Sequence, residues 1–234
     1  MNMNGANPPV LMVHGWGGSH QETWHKSGVE ELLNESGRTV IGVDLLGHGT
    51  AEKPHDPNSY SDISEPIRRA IGSRTTSVDA VGFSLGAIAL LEATRINPNY
   101  FRNLMLVGIG DGLLAQHDER ETQRIISGID MTADPQDIVA AQFGNYARRS
   151  ENDHLALRAV LMRPRPAPIV VDELKKVSAN VQLVVGDKDF VLPADNLAKS
   201  FTNCHVVTLK NCDHFATPQH FGFIDALLEF FSEK

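Results

Sequence analysis

Cysteine is scarce in this chain of 234 residues, and the two present, Cys204 and Cys212, have seven residues between them and no Cys-x-x-Cys spacing. That spacing suggests neither a zinc site nor a disulfide framework, and it makes a reducing compartment the default. Positive charge is also in deficit: 21 Lys and Arg stand against 29 Asp and Glu, for a net charge of -8. Such a balance repels a nucleic-acid backbone and anionic lipid. The one basic cluster, Arg163-Pro-Arg165-Pro, is short and reads as a solvated turn. No uninterrupted apolar run approaches the roughly 20 residues of a membrane span. The opening Met1-Asn-Met-Asn-Gly has no basic n-region followed by an apolar h-region. Internal repeats and low-complexity tracts are missing too. These absences predict a cytoplasmic protein with no nucleic-acid or membrane partner, and they carry no signal for an oligomeric state.

What is present is an ordinary globular composition, 41% hydrophobic and 21% charged, in a length that suits one core. Short apolar runs at residues 10–13, 39–43, 78–81, 104–107, 181–185 and 205–209 mostly lack polar alternation, as parallel strands buried on both faces do. Helical patterns fill the intervals. Residues 22–34 carry Trp24, Val29, Leu32 and Leu33 at near-helical spacing, with Gly37 as the stop. Residues 85–96 are rich in Ala and Leu and close at Asn97-Pro98. Thr217-Pro218 predicts the start of a last helix whose apolar face is Phe221, Ile224, Leu227, Leu228 and Phe231. The alternation predicts an α/β fold with a doubly wound, mainly parallel sheet. It breaks over residues 111–167, where only helical candidates occur: 113–127, a second opened by Asp134-Pro135, and a third around 155–162. Their apolar residues need a partner surface, which predicts a small helical cap inserted between core segments 1–110 and 168–234. The Pro-rich residues 163–168 serve as the return hinge.

Gly82-Phe83-Ser84-Leu85-Gly86 fits the G-x-S-x-G elbow, a sharp strand-to-helix turn that lifts a serine hydroxyl above the sheet. Thr76 to Val81 is a strand candidate directly before it, and the 85–96 helix directly follows. Glycines at 82 and 86 have a steric reason, since strand and helix approach too closely for a Cβ. The bland alternative is that Ser84 is only a helix N-cap.

A serine nucleophile needs a base and a group to orient that base. Of the ten histidines, His20, His25, His55, His117, His154 and His220 fall in loops or on polar helix faces. His214 follows the last strand candidate and precedes the last helix, at the sheet edge where open α/β folds place their sites. The acid belongs to a neighbouring strand end, and Gly186-Asp-Lys-Asp189 supplies Asp187 and Asp189, between which periodicity does not choose.

In this order of serine, acid and histidine, the chain resembles the α/β-hydrolase family. His14-Gly-Trp-Gly-Gly18 resembles that family's oxyanion-hole motif, Asp44-Leu-Leu-Gly-His-Gly49 its "DxxGHG" turn, and Gly186–Asp189 and Asn211–Phe215 its acid and histidine loops. The resemblance favours Asp189 as the acid and implies backbone N–H donors from Trp16 and Leu85. It implies loop-shaping roles for Asp44, Gly47, His48 and Gly49. Three departures stand out. There is no room for the two strands that usually precede the oxyanion-motif strand, so a six-stranded sheet is expected. Asp213 replaces the glycine usual before the histidine, and Thr50-Ala51 follows where serine is usual.

The resemblance implies a serine hydrolase of small carboxylic esters, with Ser84 as nucleophile, His214 as base and Asp189 as orienting acid, working without cofactor or metal. Trp16, Phe83, Leu113, Leu114, Phe143 and Leu161 are the candidate pocket residues. Carbon–carbon bond hydrolases and thioesterases share the same three groups, and some members of the fold are slow-turnover small-molecule receptors. Dehalogenases and epoxide hydrolases use an aspartate nucleophile, which Ser84 argues against.

Overall fold

The computed structural model describes residues 7–74 and 77–232. Both the start of the chain and Thr76, the expected head of the strand before Ser84, lie outside the described residues. In chain order the elements are β1 (Val10–Val13), a π-helical turn (Gln21–His25), α1 (Val29–Glu35), β2 (Val40–Val43), α2 (Glu65–Ile71), β3 (Val78–Phe83), α3 (Leu85–Ile96) and β4 (Phe101–Val107). These are followed by α4 (Glu119–Ile129), α5 (Ile138–Ala147), α6 (His154–Leu161), α7 (Val171–Leu174), β5 (Asn180–Gly186), α8 (Asp195–Ser200), β6 (Cys204–Leu209) and α9 (Phe221–Phe231).

The six strands form one parallel sheet in the order β2-β1-β3-β4-β5-β6. Every residue of β1 and β3 is buried, as the unbroken apolar runs require, whereas the edge strands β2 and β6 expose part of their length. Period-two alternation divides β1 between two cores. Leu11 and Val13 face the layer holding Ile67 of α2, Leu90 of α3 and Leu197 of α8. Val10 and Met12 face the layer holding Trp24, Leu33 and α9's Phe223, Leu227 and Phe231. The chain leaves β1 for β2 on one side and returns to β3 on the other. The loops after β1 and β3 therefore meet at the switch point of the sheet, the crevice where open α/β folds bind ligands.

Several boundaries differ from the sequence reading, each for a local reason. The 22–34 segment is two elements because Gly28 adopts φ +79° and breaks it. The last helix begins at Phe221, capped by the His220 ring accepting the Gly222 N–H at 3.1 Å, while Thr217-Pro218 forms a separate 3-10 turn. Helices α4 and α5 start later than the sequence pattern suggests and α6 one residue earlier, with N-caps at Asp118, Asp137 and Asp153, whose carboxylates accept first-turn N–H groups.

These helices contact the loops at the carboxyl end of the sheet. The Trp16 indole N–H donates to the Leu157 carbonyl at 3.0 Å, and the Asn152 amide donates to the Gly17 carbonyl at 2.8 Å. Helices α4 and α5 cross through Gly128 and Gly144, where a Cβ on either would collide with the other helix's backbone. The Arg163-Pro-Arg165-Pro cluster is not the solvated turn expected of it, because Arg163 is buried and Arg165 half-buried. Among the described residues no helix is long and apolar enough to cross a membrane.

Candidate active site

Ser84 stands between β3 and α3 at φ 51°, a left-handed value that a non-glycine residue holds only where its surroundings enforce it. The enforcement is visible on both flanks. A Cβ on Gly82 would come within 2.7 Å of the Ala87 nitrogen, and one on Gly86 would overlap the Val13 and His14 carbonyls. The turn is fixed further by the Ser84 N–H, which donates to the Val107 carbonyl at 2.7 Å. The Ser84 hydroxyl makes no capping bond to α3. It lies 3.0 Å from Nε2 of His214.

His214 follows β6, and its imidazole is almost wholly buried against aromatic rings. Centroid distances are 4.5 Å to Phe190, 5.0 Å to Phe83 and 5.6 Å to Phe215. Nδ1 faces both carboxylate oxygens of Asp189 at 3.0 Å, and the Asp189 side chain is completely buried. The carboxylate also accepts the Val191 N–H at 3.0 Å. An Nδ1–H that donates to Asp189 leaves Nε2 with a lone pair toward the Ser84 hydroxyl.

The other two carboxylates are engaged in turns. Asp187 accepts the Cys212 N–H at 3.3 Å, and backbone N–H donors, Asn211 first, hold its carboxyl below the usual range. Asp213 is exposed and accepts the Ala216 N–H at 2.9 Å.

The "DxxGHG" turn shapes the loop after β1. Asp44 accepts the His20 N–H at 2.7 Å and the Thr50 N–H and hydroxyl at 2.8 and 2.9 Å. Burial pushes its carboxyl up, but these donors outweigh burial and the net shift is downward. Thr50, a departure from the usual serine, supplies its hydroxyl to this network. His14 donates from Nδ1 to the Gly15 carbonyl at 2.8 Å and accepts the Leu45 N–H on Nε2 at 3.1 Å. Burial, the largest influence on it, lowers its pKa. Among the described residues neither the Trp16 nor the Leu85 main-chain N–H meets an acceptor. Leu85 opens a helix, whose first N–H groups have no partner within it.

Two cavities meet at Ser84 and His214. One, of about 490 Å³, is polar and includes Glu22, Lys26, Gln142, Tyr146 and Arg149. The other, of about 520 Å³, is mostly apolar and includes Ile88, Leu113, Ile125, Leu161 and Val191. Of the sequence-predicted pocket residues, Trp16 and Phe143 line both, Phe83 the polar one, and Leu113 and Leu161 the apolar one. Leu114 lines neither and packs against the core, because the 3-10 turn Asp111–Leu114 sends adjacent side chains in different directions. Sequence reasoning missed Phe190, Tyr146, Arg163 and Arg165. Tyr146 was within reach, since it lies three positions after Phe143 on one helix face.

A family model described as the alpha/beta hydrolase family matches residues 10–226, which span every strand and all the loops just described. The chain belongs to the alpha/beta hydrolase family. Among curated relatives, this family member is 34% identical over 105 residues to the pimeloyl-[acyl-carrier protein] methyl ester esterase of Methylococcus capsulatus. That match takes in 44% of this chain and 38% of the relative. The chain spans about a third of the length of the first curated relatives it matches. Among solved structures, an esterase from Exiguobacterium antarcticum superposes with a TM-score of 0.75 at 20% identity, covering 97% of this chain and 92% of that one. The 2-hydroxy-6-oxo-6-phenylhexa-2,4-dienoate hydrolase of Rhodococcus sp. strain RHA1 superposes with a TM-score of 0.64 at 19% identity, covering 97% and 91%. At these identities the two structures share the fold.

Proposed function

We propose that this family member is a serine hydrolase that cleaves small carboxylic esters through an acyl-enzyme intermediate. The reading rests on one observation: the hydroxyl of the strained Ser84 lies 3.0 Å from Nε2 of an imidazole whose Nδ1 is held by buried Asp189. The ester named for the Methylococcus relative favours an ester over a carbon–carbon bond as the group cleaved.

Ser84 Oγ attacks the ester carbonyl as its proton passes to Nε2 of His214, and Asp189 stabilises the imidazolium that forms. The carbonyl oxygen becomes an oxyanion that receives the free N–H groups of Trp16 and Leu85. The intermediate collapses as Nε2 returns the proton to the leaving alcohol. Water, deprotonated by His214, then attacks the acyl-Ser84 carbonyl, and the proton goes back to Oγ as the acid departs. The apolar cavity suits the acyl chain, and the polar one suits the alcohol and the incoming water. Strain at Ser84 keeps the hydroxyl presented with no rearrangement at the moment of reaction. No cofactor is needed, and the cytoplasm suits the two free cysteines.

The test is multiple turnover of activated esters over a graded acyl series by the parent protein and by Ser84→Ala. The proposal expects turnover in the range of about 1–10³ per second for the parent, and a folded variant with almost none. Release that stops after one equivalent identifies a receptor instead, and equal turnover by the two proteins removes Ser84 from the chemistry.

A further inference from the structure

The apolar cavity that opens from Ser84 is lined, on its cap side, by two arginines. Arg163 and Arg165 share that lining with Leu113, Leu161 and His214. Arg163 is 4% exposed, and a single N–H of its guanidinium, on Nη1, meets an acceptor, the Val160 carbonyl at 3.0 Å. Arg165 donates from Nη2 to the Leu161 carbonyl at 3.1 Å, and its Nε is buried with no partner. Among the described residues neither guanidinium forms an ion pair. Arg95 nearby shows the contrast, since Glu173 neutralises it at 3.1 Å. Glu92 feels both arginines through space without reaching either, and burial, the largest influence on it, pushes its carboxyl up. The local balance is therefore cationic. Burial, the largest influence on Arg163, pulls it down to about 9 and also lowers Arg165, so the fold bears a desolvation cost at both.

Two arginines on a mostly apolar cavity, with a buried guanidinium donor left over and, among the described residues, no acid within ion-pair distance, match a planar anion that brings its own apolar chain. We propose that Arg163 and Arg165 form a carboxylate-binding subsite, and that the preferred substrates are half-esters of dicarboxylic acids, whose acyl chain fills the apolar cavity and ends in a free carboxylate. This rests on the assignment of Ser84 as nucleophile for the reaction, though not for the binding of the anion. A carboxylate is chosen over a neutral polar end because only an ion offsets two unpaired cationic groups, one buried and one half-buried, and a guanidinium fork donates two parallel bonds to it. The chain between ester and acid must span the cavity, so one acyl length is favoured.

The experiment separates binding from turnover. The Ser84→Ala protein is titrated calorimetrically with monomethyl esters of linear dicarboxylic acids of increasing length, and with methyl esters of the monocarboxylic acids of matching length. The subsite predicts that at one length the half-ester binds about tenfold or more tightly than its neutral partner, as a charge-assisted hydrogen bond warrants. The advantage disappears in Ser84→Ala/Arg165→Gln while affinity for the neutral ester stays the same. Arg165 is the first choice because it is only half-buried. Arg163→Met, accompanied by a melting curve, is the second variant and predicts the same selective loss. Equal affinity for charged and neutral esters at every length, or an advantage that survives both substitutions, overturns the proposal and leaves the arginines as caps for the last carbonyls of α6. Tight half-ester binding by the Ser84→Ala protein, together with no ester turnover by the parent, supports the subsite while refuting the hydrolase reading.

Discussion

The ring of Phe190 lies against the imidazole of His214, with centroids 4.5 Å apart and planes inclined by 38°, although Phe190 itself is 47% exposed. The same ring meets Phe143 of α5 at 6.1 Å and Phe215 at 6.4 Å. One residue thereby joins the acid loop, the histidine loop and a helix of the 111–167 segment. Phe190 fixes where the imidazole sits and walls the apolar cavity on that side. Phe190→Ala is expected to lower kcat/KM about tenfold, equivalent to about 1.4 kcal/mol of transition-state stabilisation. Thermal stability should change little, because half the ring is already in water. A melting curve and steady-state kinetics on one ester check both halves.

Asp187 and Asp189 are two positions apart and serve different tasks, one bonded to loop N–H groups and the other to His214 Nδ1. Asp189→Asn is expected to stay folded and to lose about 10⁴ in kcat, the cost of a mis-set imidazole tautomer in the serine-protease precedent. Asp187→Asn is expected to keep its activity and lose about 1 kcal/mol of stability. Parallel kinetics and denaturant unfolding of the two variants distinguish the roles, and the reverse pattern would move the acid to Asp187.

His48 couples stability to pH. Burial, followed by the neighbouring His14, lowers its pKa from 6.5 to about 3, and its Nδ1–H donates to the Leu46 carbonyl at 3.0 Å. Between those two values the unfolded chain binds a proton that the folded chain refuses, so stability rises with pH there. The contribution is complete above pH 6.5 and is lost as pH falls toward 3. At pH 4 the loss amounts to about 3 kcal/mol, because each tenfold rise in proton concentration below the unfolded pKa favours the unfolded chain by about 1.4 kcal/mol. His48→Gln should flatten the dependence of the urea midpoint on pH between 6.5 and 4 relative to the parent protein, and an unchanged slope would remove His48 as its source.

The strands were legible where burial on both faces forces an unbroken apolar run, as in β1. They were less so where charge enters the sheet. β4 begins at Phe101, ahead of the apolar run at 104, because Arg102 and Asn103 turn toward Asp79, a fully buried acid of β3 that also pairs with Arg38. That network joins residues far apart in sequence, and no local pattern announces it. Ser84 and His214 stood out because short motifs fix the chain around them. Phe190 and the arginine pair did not, since their surroundings come from the segment that folds back over the sheet. Two arginines each followed by proline look solvated until that segment is in place. Helix α2 escaped notice because seven residues give too little periodicity to read.

The central claim is that Ser84 carries the acyl group. Its most direct measurement is mass spectrometry of the protein quenched within milliseconds of mixing with an activated short-chain ester, followed by peptide mapping. The account predicts that the mass of one acyl group appears on the peptide containing Ser84, decays as the acid is released, and is missing from Ser84→Ala. Ester turnover with no acyl adduct at Ser84, or with the adduct on another residue, would contradict it.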